Sequence, residues 1–173
     1  MSSTALNNLI RIGILVLVQI LLLQQMELRV SDTVYIHWFV YPLGILLLPV
    51  RTPDVSAMLI GFAVGLIIDL FYGTPGVHAA ALVFTAFVRR IALRFHEPRD
   101  GYAVNASPVP GTLGKRRFFW YLSVTVLLHC FWYFFMEAFT LWYIGKLLLN
   151  AGINAIVSVV IMYLVMVFSN PKE

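Results

Sequence analysis

Charged residues are scarce in this chain. Only 12% of its 173 residues are Asp, Glu, Lys or Arg, against 61% hydrophobic, and the mean hydropathy is +0.88. That balance excludes a soluble domain of this length. Cysteine is almost missing: Cys130 stands alone in an apolar run, which excludes an intrachain disulfide and a Cys-based metal site. Catalytic signatures are missing too, with no Gly-x-Ser-x-Gly, no His-Glu-x-x-His, no Walker loop and no paired acidic motif. The chain is therefore read as no enzyme and as needing no cofactor. A net charge of +4 would point to nucleic acid in a soluble protein, but here membrane topology accounts for it and nucleic acid is not an expected partner. What is present is a series of long apolar runs, which predicts an all-α, polytopic transmembrane helix bundle of about six spans in a single domain covering residues 1–173.

In chain order, residues 9–26 supply the first span, with Arg11 at its start and Gln19 inside. The run is long for a signal peptide and lacks a small-x-small cleavage site, so it is read as a retained helix. A second span is expected over residues 33–50, kinked where Pro42 sits beside Gly44. His37, with no acidic residue near it in sequence, reads as an interfacial or packing histidine.

Residues 56–90 organise the rest. Two apolar helices, 55–71 and 74–88, flank a Gly-Thr-Pro-Gly turn, and one carboxylate, Asp69, lies inside the first. Gly61, Gly65, Asp69 and Gly73 recur every four residues and form a stripe down one side of that helix. Gly76 and Ala80 repeat the interval on the second helix. Small residues of this kind allow close backbone approach between helices in lipid, within the chain or to a partner. A buried carboxylate needs a partner or water, so Asp69 is expected to pin the hairpin, with His78 within reach across the turn. Both helices are short for spans, leaving open whether they cross fully or form a shallower hairpin.

Residues 89–117 break the apolar pattern. Arg89, Arg90, Arg94, Arg99, Lys115, Arg116 and Arg117 stand among prolines and glycines. The RRIALRF segment fits a brief amphipathic surface helix, and the remainder a flexible basic loop, either a docking segment or a solvated connector. Residues 118–143 follow as the longest helix. Trp120 and Trp142, 22 residues apart, would lie about 33 Å from each other along it, matching two interfacial belts. His129, Tyr133 and Glu137 share one of its faces as a hydrogen-bonding strip. The last span, 147–168, carries a polar stripe of Asn150, Asn154 and Ser158, expected to face other helices, with a substrate pathway as the sharper alternative.

With both termini in the cytoplasm, ten basic residues fall inside and only Arg29 and Lys146 outside. This predicts a multi-pass membrane protein with both termini and the basic loop cytoplasmic.

The segment GLIIDLFYGTPGVHAAALVFTAF resembles the rod shape-determining protein MreD family, in which a Gly-Leu-x-x-Asp helix leads through a Gly-containing turn to a small-residue helix. Gly65, Leu66, Asp69, Gly73, Gly76 and Ala80 carry the resemblance, and HEPRDGY at His96 to Tyr102 extends it. About 45 residues are recognisably similar, although the hydropathy layout agrees over the whole length. The resemblance implies a non-catalytic scaffold for cell shape in the elongasome, located in the bacterial inner membrane. It would bind the single-span protein MreC and help link MreB filaments to the peptidoglycan synthases, RodA and its transpeptidase. A rival reading is the substrate-binding membrane subunit of an energy-coupling-factor vitamin transporter, with Asp69 or the Asn150, Asn154 and Ser158 stripe lining a pocket. A membrane enzyme using His129, Glu137, Asp69 and His78 comes third.

Overall fold

The computed structural model describes residues 3–31, 34–97, 101–103, 106–140 and 142–169. Helix α1 (Ser3–Val18) widens into a π turn at Gln19–Leu23 and tightens into a 3-10 turn at Gln24–Met26. A two-stranded antiparallel ribbon follows, β1 (Leu28–Arg29) and β2 (Tyr35–Ile36), with Leu28 opposite Ile36. Then come α2 (Pro42–Leu46), α3 (Asp54–Tyr72), α4 (Val77–Phe95), α5 (Pro110–Leu113), α6 (Lys115–Ala138) and α7 (Ile144–Ser169). Among the described residues, four helical stretches are long and apolar enough to cross a membrane: Leu6–Met26, Asp54–Tyr72, Lys115–Ala138 and Ile144–Ser169.

The distribution of side chains is inverted relative to a water-soluble protein. Asn154, Ser158, His78 and His129 are wholly buried, whereas Leu70, Leu17 and Ile156 are more than half exposed. Lipid solvates the second group and only the protein interior can satisfy the first. The chain is an all-α membrane protein.

The second expected span is not a helix. Residues 34–50 instead comprise β2, a stretch from His37 to Val40 without helical hydrogen bonding, and the five-residue α2. Phe39 to Leu48 are nevertheless almost entirely buried in the bundle. The expected break at Pro42 is real in the sense that Pro42 opens α2, where a proline needs no N–H partner. What precedes it is a β-branched and aromatic run, Val-Tyr-Ile-His-Trp-Phe-Val, that favours extended backbone.

The basic segment 89–117 is also folded differently from expectation. RRIALRF is no separate surface helix: it continues α4, with Arg89, Ala92 and Leu93 buried. The supposed flexible loop is a packed strap over its described residues. Ala106, Val109 and Leu113 are buried, the Val50 N–H donates to the Ala106 carbonyl at 2.9 Å, and Tyr102 Oη donates to the Leu93 carbonyl at 2.7 Å. Lys115, Arg116 and Arg117 form the exposed first turn of α6, and Arg99 lies outside the described residues. At the opposite end α6 stops at Ala138 because Phe139 adopts a left-handed conformation (φ 45°), so Trp142 sits past the helix rather than on it.

Candidate functional site

Three polar arrangements lie in the interior. The first is the α3–α4 turn. Gly73 ends α3 in the left-handed region (φ 68°) and donates its N–H to the Asp69 carbonyl, and Gly76 (φ 88°) starts α4. L side chains rarely adopt either conformation. The tightly folded turn brings the Asp69 carboxylate against the first turn of α4. Its Oδ1 accepts from Thr74 Oγ1, His78 N and His78 Nδ1, each at 2.9 Å, and its Oδ2 accepts from Ala79 N at 3.0 Å. A residue of one helix thus caps the next, satisfying N–H groups that have no partner within α4. The carboxylate fixes the proton of His78 on Nδ1. Nε2 has no hydrogen-bond partner among the described residues, and the ring is boxed by Tyr72, Tyr133 and Tyr41 at centroid distances of 4.7, 5.0 and 5.6 Å.

The glycine stripe serves the same hairpin. A Cβ on Gly65 would collide with the backbone of His78 and Ala79, and one on Gly61 would lie 3.1 Å from the Leu82 carbonyl oxygen. The stripe is therefore filled by the chain's own α4 rather than left open for a partner helix. On the α4 side it is Ala79 and Leu82 that meet the glycines; Ala80, singled out by its spacing from Gly76, is only half-buried.

The second arrangement is the polar stripe of α7. Asn150 Oδ1 accepts from Tyr35 N at 3.0 Å, Asn154 Oδ1 accepts from His37 N, and Ser158 Oγ accepts from Phe39 N at 3.2 Å. Asn154 Nδ2 donates to the Tyr35 carbonyl at 2.8 Å. Four residues of α-helix advance about 6 Å, close to the roughly 6.6 Å of two residues in an extended chain. Side chains at i, i+4 and i+8 on α7 can therefore meet every second N–H of a strand running parallel to it. The helix acts as a neighbouring strand, built from side chains. Gln19, 1% exposed at the π turn, takes the next amide: its Oε1 accepts from Val40 N at 3.0 Å while its Nε2 donates to Tyr72 Oη at 2.8 Å.

The third arrangement receives the carbonyls at the other end of the same segment. Arg89 donates to the carbonyls of Leu46, Leu48 and Pro49; Tyr121 Oη donates to Leu46 O at 2.8 Å and Arg11 to Leu47 O at 2.8 Å. Arg89 belongs to the interior of the bundle and not to a cytoplasmic loop. Its long stem and forked donors allow one side chain to serve three carbonyls.

His129, Tyr133 and Glu137 do share a face of α6, but they part company. His129 Nδ1 lies 2.7 Å from Thr85 Oγ1, whose own hydrogen goes to the Ala81 carbonyl, so Nδ1 donates to Thr85 and Nε2 accepts from Tyr41 Oη at 3.0 Å. Tyr133 packs on His78 and Phe39. Glu137 is exposed in a cleft of about 380 Å³ with His37, Lys146 and Asn150. His37 has an acidic neighbour after all, Glu27 Oε1 at 3.0 Å, brought to it by the β1–β2 ribbon. Among the described residues no three His, Cys, Asp or Glu side chains converge to hold a metal.

Sequence reasoning singled out Asp69, Asn150, Asn154 and Ser158 but missed Tyr41, Thr85 and Tyr121, whose role depends on a backbone that hydropathy does not describe. Gln19 carried a signal, being a lone amide in an apolar helix. No family model, curated protein or solved structure matches the chain.

Proposed function

We propose that this protein is a non-catalytic scaffold of the bacterial cell-elongation machinery, akin to MreD, holding the membrane helix of MreC and through it coupling MreB filaments to RodA and its transpeptidase. The observation that carries the reading is the use made of the interior polar groups. Asp69, Gln19, Arg89, Asn154 and Ser158 each bond the chain's own backbone, an arrangement that suits a rigid platform better than a pathway or a reaction centre. The Gly-Leu-x-x-Asp helix and glycine turn that carry the resemblance form one cap-and-hairpin unit, so those residue types have a structural reason to occur together.

In this reading the membrane is crossed six times. Five crossings are helical, and residues 35–48 make the sixth. At the rises of extended and helical chain they cover roughly 30 Å, the thickness of a bilayer core. Non-helical backbone at that depth is tolerated where protein surrounds it. Counted so, residues 3–11 and 162–169 share a face with the basic residues of α4 and α6, which the positive-inside rule assigns to the cytoplasm. With the glycine stripe filled by α4, the partner helix has another seat. An apolar cleft of about 400 Å³ between α1 and α7, lined by Ile10, Ile14, Leu43, Leu47, Val165 and Met166, has the character that a single-span helix requires.

The test is affinity purification from native membranes in mild detergent, with mass spectrometry of what accompanies the protein. A single-span protein with an extracytoplasmic coiled coil, or cell-wall synthases, is the expected result. Paired ATPases with a transmembrane coupling subunit would overturn the proposal. They would favour the second reading, a substrate-binding transporter subunit, for which the cleft of Glu137, His37 and Lys146 is the observation in support.

A further inference from the structure

At the end of the bundle opposite the Asp69 turn, the connection leading into α3, the last turns of α4 and Tyr102 of the strap line an open pocket of about 310 Å³. Among the described residues, Arg51, Arg89, Arg90 and Arg94 line it, against two carboxylates, Asp54 and Glu97. The charges are not internally balanced. Arg90 pairs with Asp54. Arg89, 2% exposed, bonds only neutral oxygens and has no carboxylate partner among the described residues. Arg51 and Arg94 are exposed and have neither a hydrogen-bond nor an ion-pair partner among the described residues. A buried guanidinium without a counter-charge, beneath two unpaired guanidiniums at the mouth, raises the local potential and favours an anion there. Planar forked donors in this number suit the several oxygens of a phosphate better than a single carboxylate.

The pocket is also held in shape. Tyr102 lies on its wall, anchored to the Leu93 carbonyl, and Val50 is tied to Ala106 of the strap. Burial pushes the Tyr102 hydroxyl up to about 12, so it stays neutral and adds no negative charge to the wall.

We propose that this pocket is a phosphate-binding site, in which Arg51 and Arg94 grip the phosphate oxygens over the fixed charge of Arg89. Two sources share that chemistry: the headgroup of an anionic phospholipid in the adjoining leaflet, and a free phosphate. The site does not depend on the scaffold reading above.

The test uses the full chain purified in detergent, with native mass spectrometry following bound dioleoyl phosphatidylglycerol against dioleoyl phosphatidylcholine, with and without millimolar inorganic phosphate. Saturable one-to-one binding of phosphatidylglycerol in preference to phosphatidylcholine is expected. In R51Q/R94Q it should weaken roughly tenfold or more, the worth of one or two charge-assisted hydrogen bonds. K115Q/R116Q, which removes charge at the same end but outside the pocket, should leave it unchanged. Displacement by inorganic phosphate identifies a free-phosphate site, and resistance to it identifies a headgroup site. Equal binding of the two lipids together with no retained inorganic phosphate, or equal loss in both double variants, overturns the proposal. Arg51 and Arg94 are exposed, so the variants should fold, and unchanged circular dichroism checks this.

Discussion

The side-chain amide of Asn154 replaces a strand for Tyr35: it donates to the Tyr35 carbonyl at 2.8 Å while its oxygen accepts from the backbone N–H two residues further on. Asn154 is completely buried, and its Nδ2 also reaches the Asn150 carbonyl. Asn154→Ala removes the partner of two backbone groups at the partly buried start of the 35–40 segment. A loss of about 2–6 kcal/mol is expected, at about 1–3 kcal/mol per orphaned group, nearer the lower figure because the site is partly open. Unfolding titrations in mixed micelles of dodecyl sulfate would measure it. Loss no greater than for Asn150→Ala, nearer the end of the bundle, would show that Asn154 has no special part.

Arg89 should behave as a core residue in spite of its charge. Arg89→Leu removes the donors to the Leu48 and Pro49 carbonyls and should cost about 2–4 kcal/mol, whereas Arg94→Leu, five residues along the same helix and exposed, should cost almost nothing. Arg89→Lys should fall between, since an ammonium is not a fork. Thermal unfolding of the three variants in one detergent ranks them.

Gly65→Ala should destabilise the fold by about 1–3 kcal/mol, because the new methyl has backbone on its far side and nothing flexible to displace. Gly61→Ala should cost less, its Cβ being merely tight against the Leu82 carbonyl. A bulky residue at position 65 should therefore lower the yield of folded protein before it alters any partner's binding. Monodispersity of the solubilised variant reports the first effect, and co-purification the second.

At the turn, Asp69→Asn keeps the shape but turns an NH2 group towards donors that a carboxylate accepts. A loss of about 1–3 kcal/mol is expected, greater for Asp69→Ala and smaller for Thr74→Ala, which removes only one of the four bonds. Hydrogen exchange at the amides of His78 and Ala79 should rise in the Asp69 variants and stay near wild type in Thr74→Ala.

Tyr102 gives the strap a pH dependence. Its hydroxyl is raised by burial from 10 to about 12, so the folded state holds the proton more tightly than the unfolded one. The contribution is full below pH 10 and is lost as pH climbs from 10 to about 12. Tyr102→Phe should remove that alkaline component while also losing the bond to the Leu93 carbonyl, measurable as a flatter stability profile above pH 10.

Much of this was legible in the sequence where one signal dominates. The α3–α4 hairpin is announced by Gly73 and Gly76 around Thr-Pro, and α7 by a long, mostly apolar run. The extended segment before α2 was not, because hydropathy measures solvent and not backbone geometry. Residues 33–50 are as apolar as a helix, and their aromatic and β-branched content was outweighed by length. The clue lay more than a hundred residues away: an Asn-Asn-Ser stripe at intervals of four is what a helix needs in order to satisfy a strand. The basic segment misled for a related reason. Charge and proline suggested solvent, while Ala106, Val109 and Leu113, too few to register as a periodic pattern, hold it down.

The parallel register of α7 with residues 35–40 imposes an order on synthesis. The extended segment is made early, but the groups that complete its amides arrive only with Asn150, Asn154 and Ser158, near the far end of the chain. Until then its exposed N–H groups are costly to leave in lipid and favour the membrane surface or a temporary helix. Insertion of α7 is thus the step that locks the protein. Chains halted before residue 144 should be integrated yet unfinished, with Tyr35 to Val40 open to proteolysis.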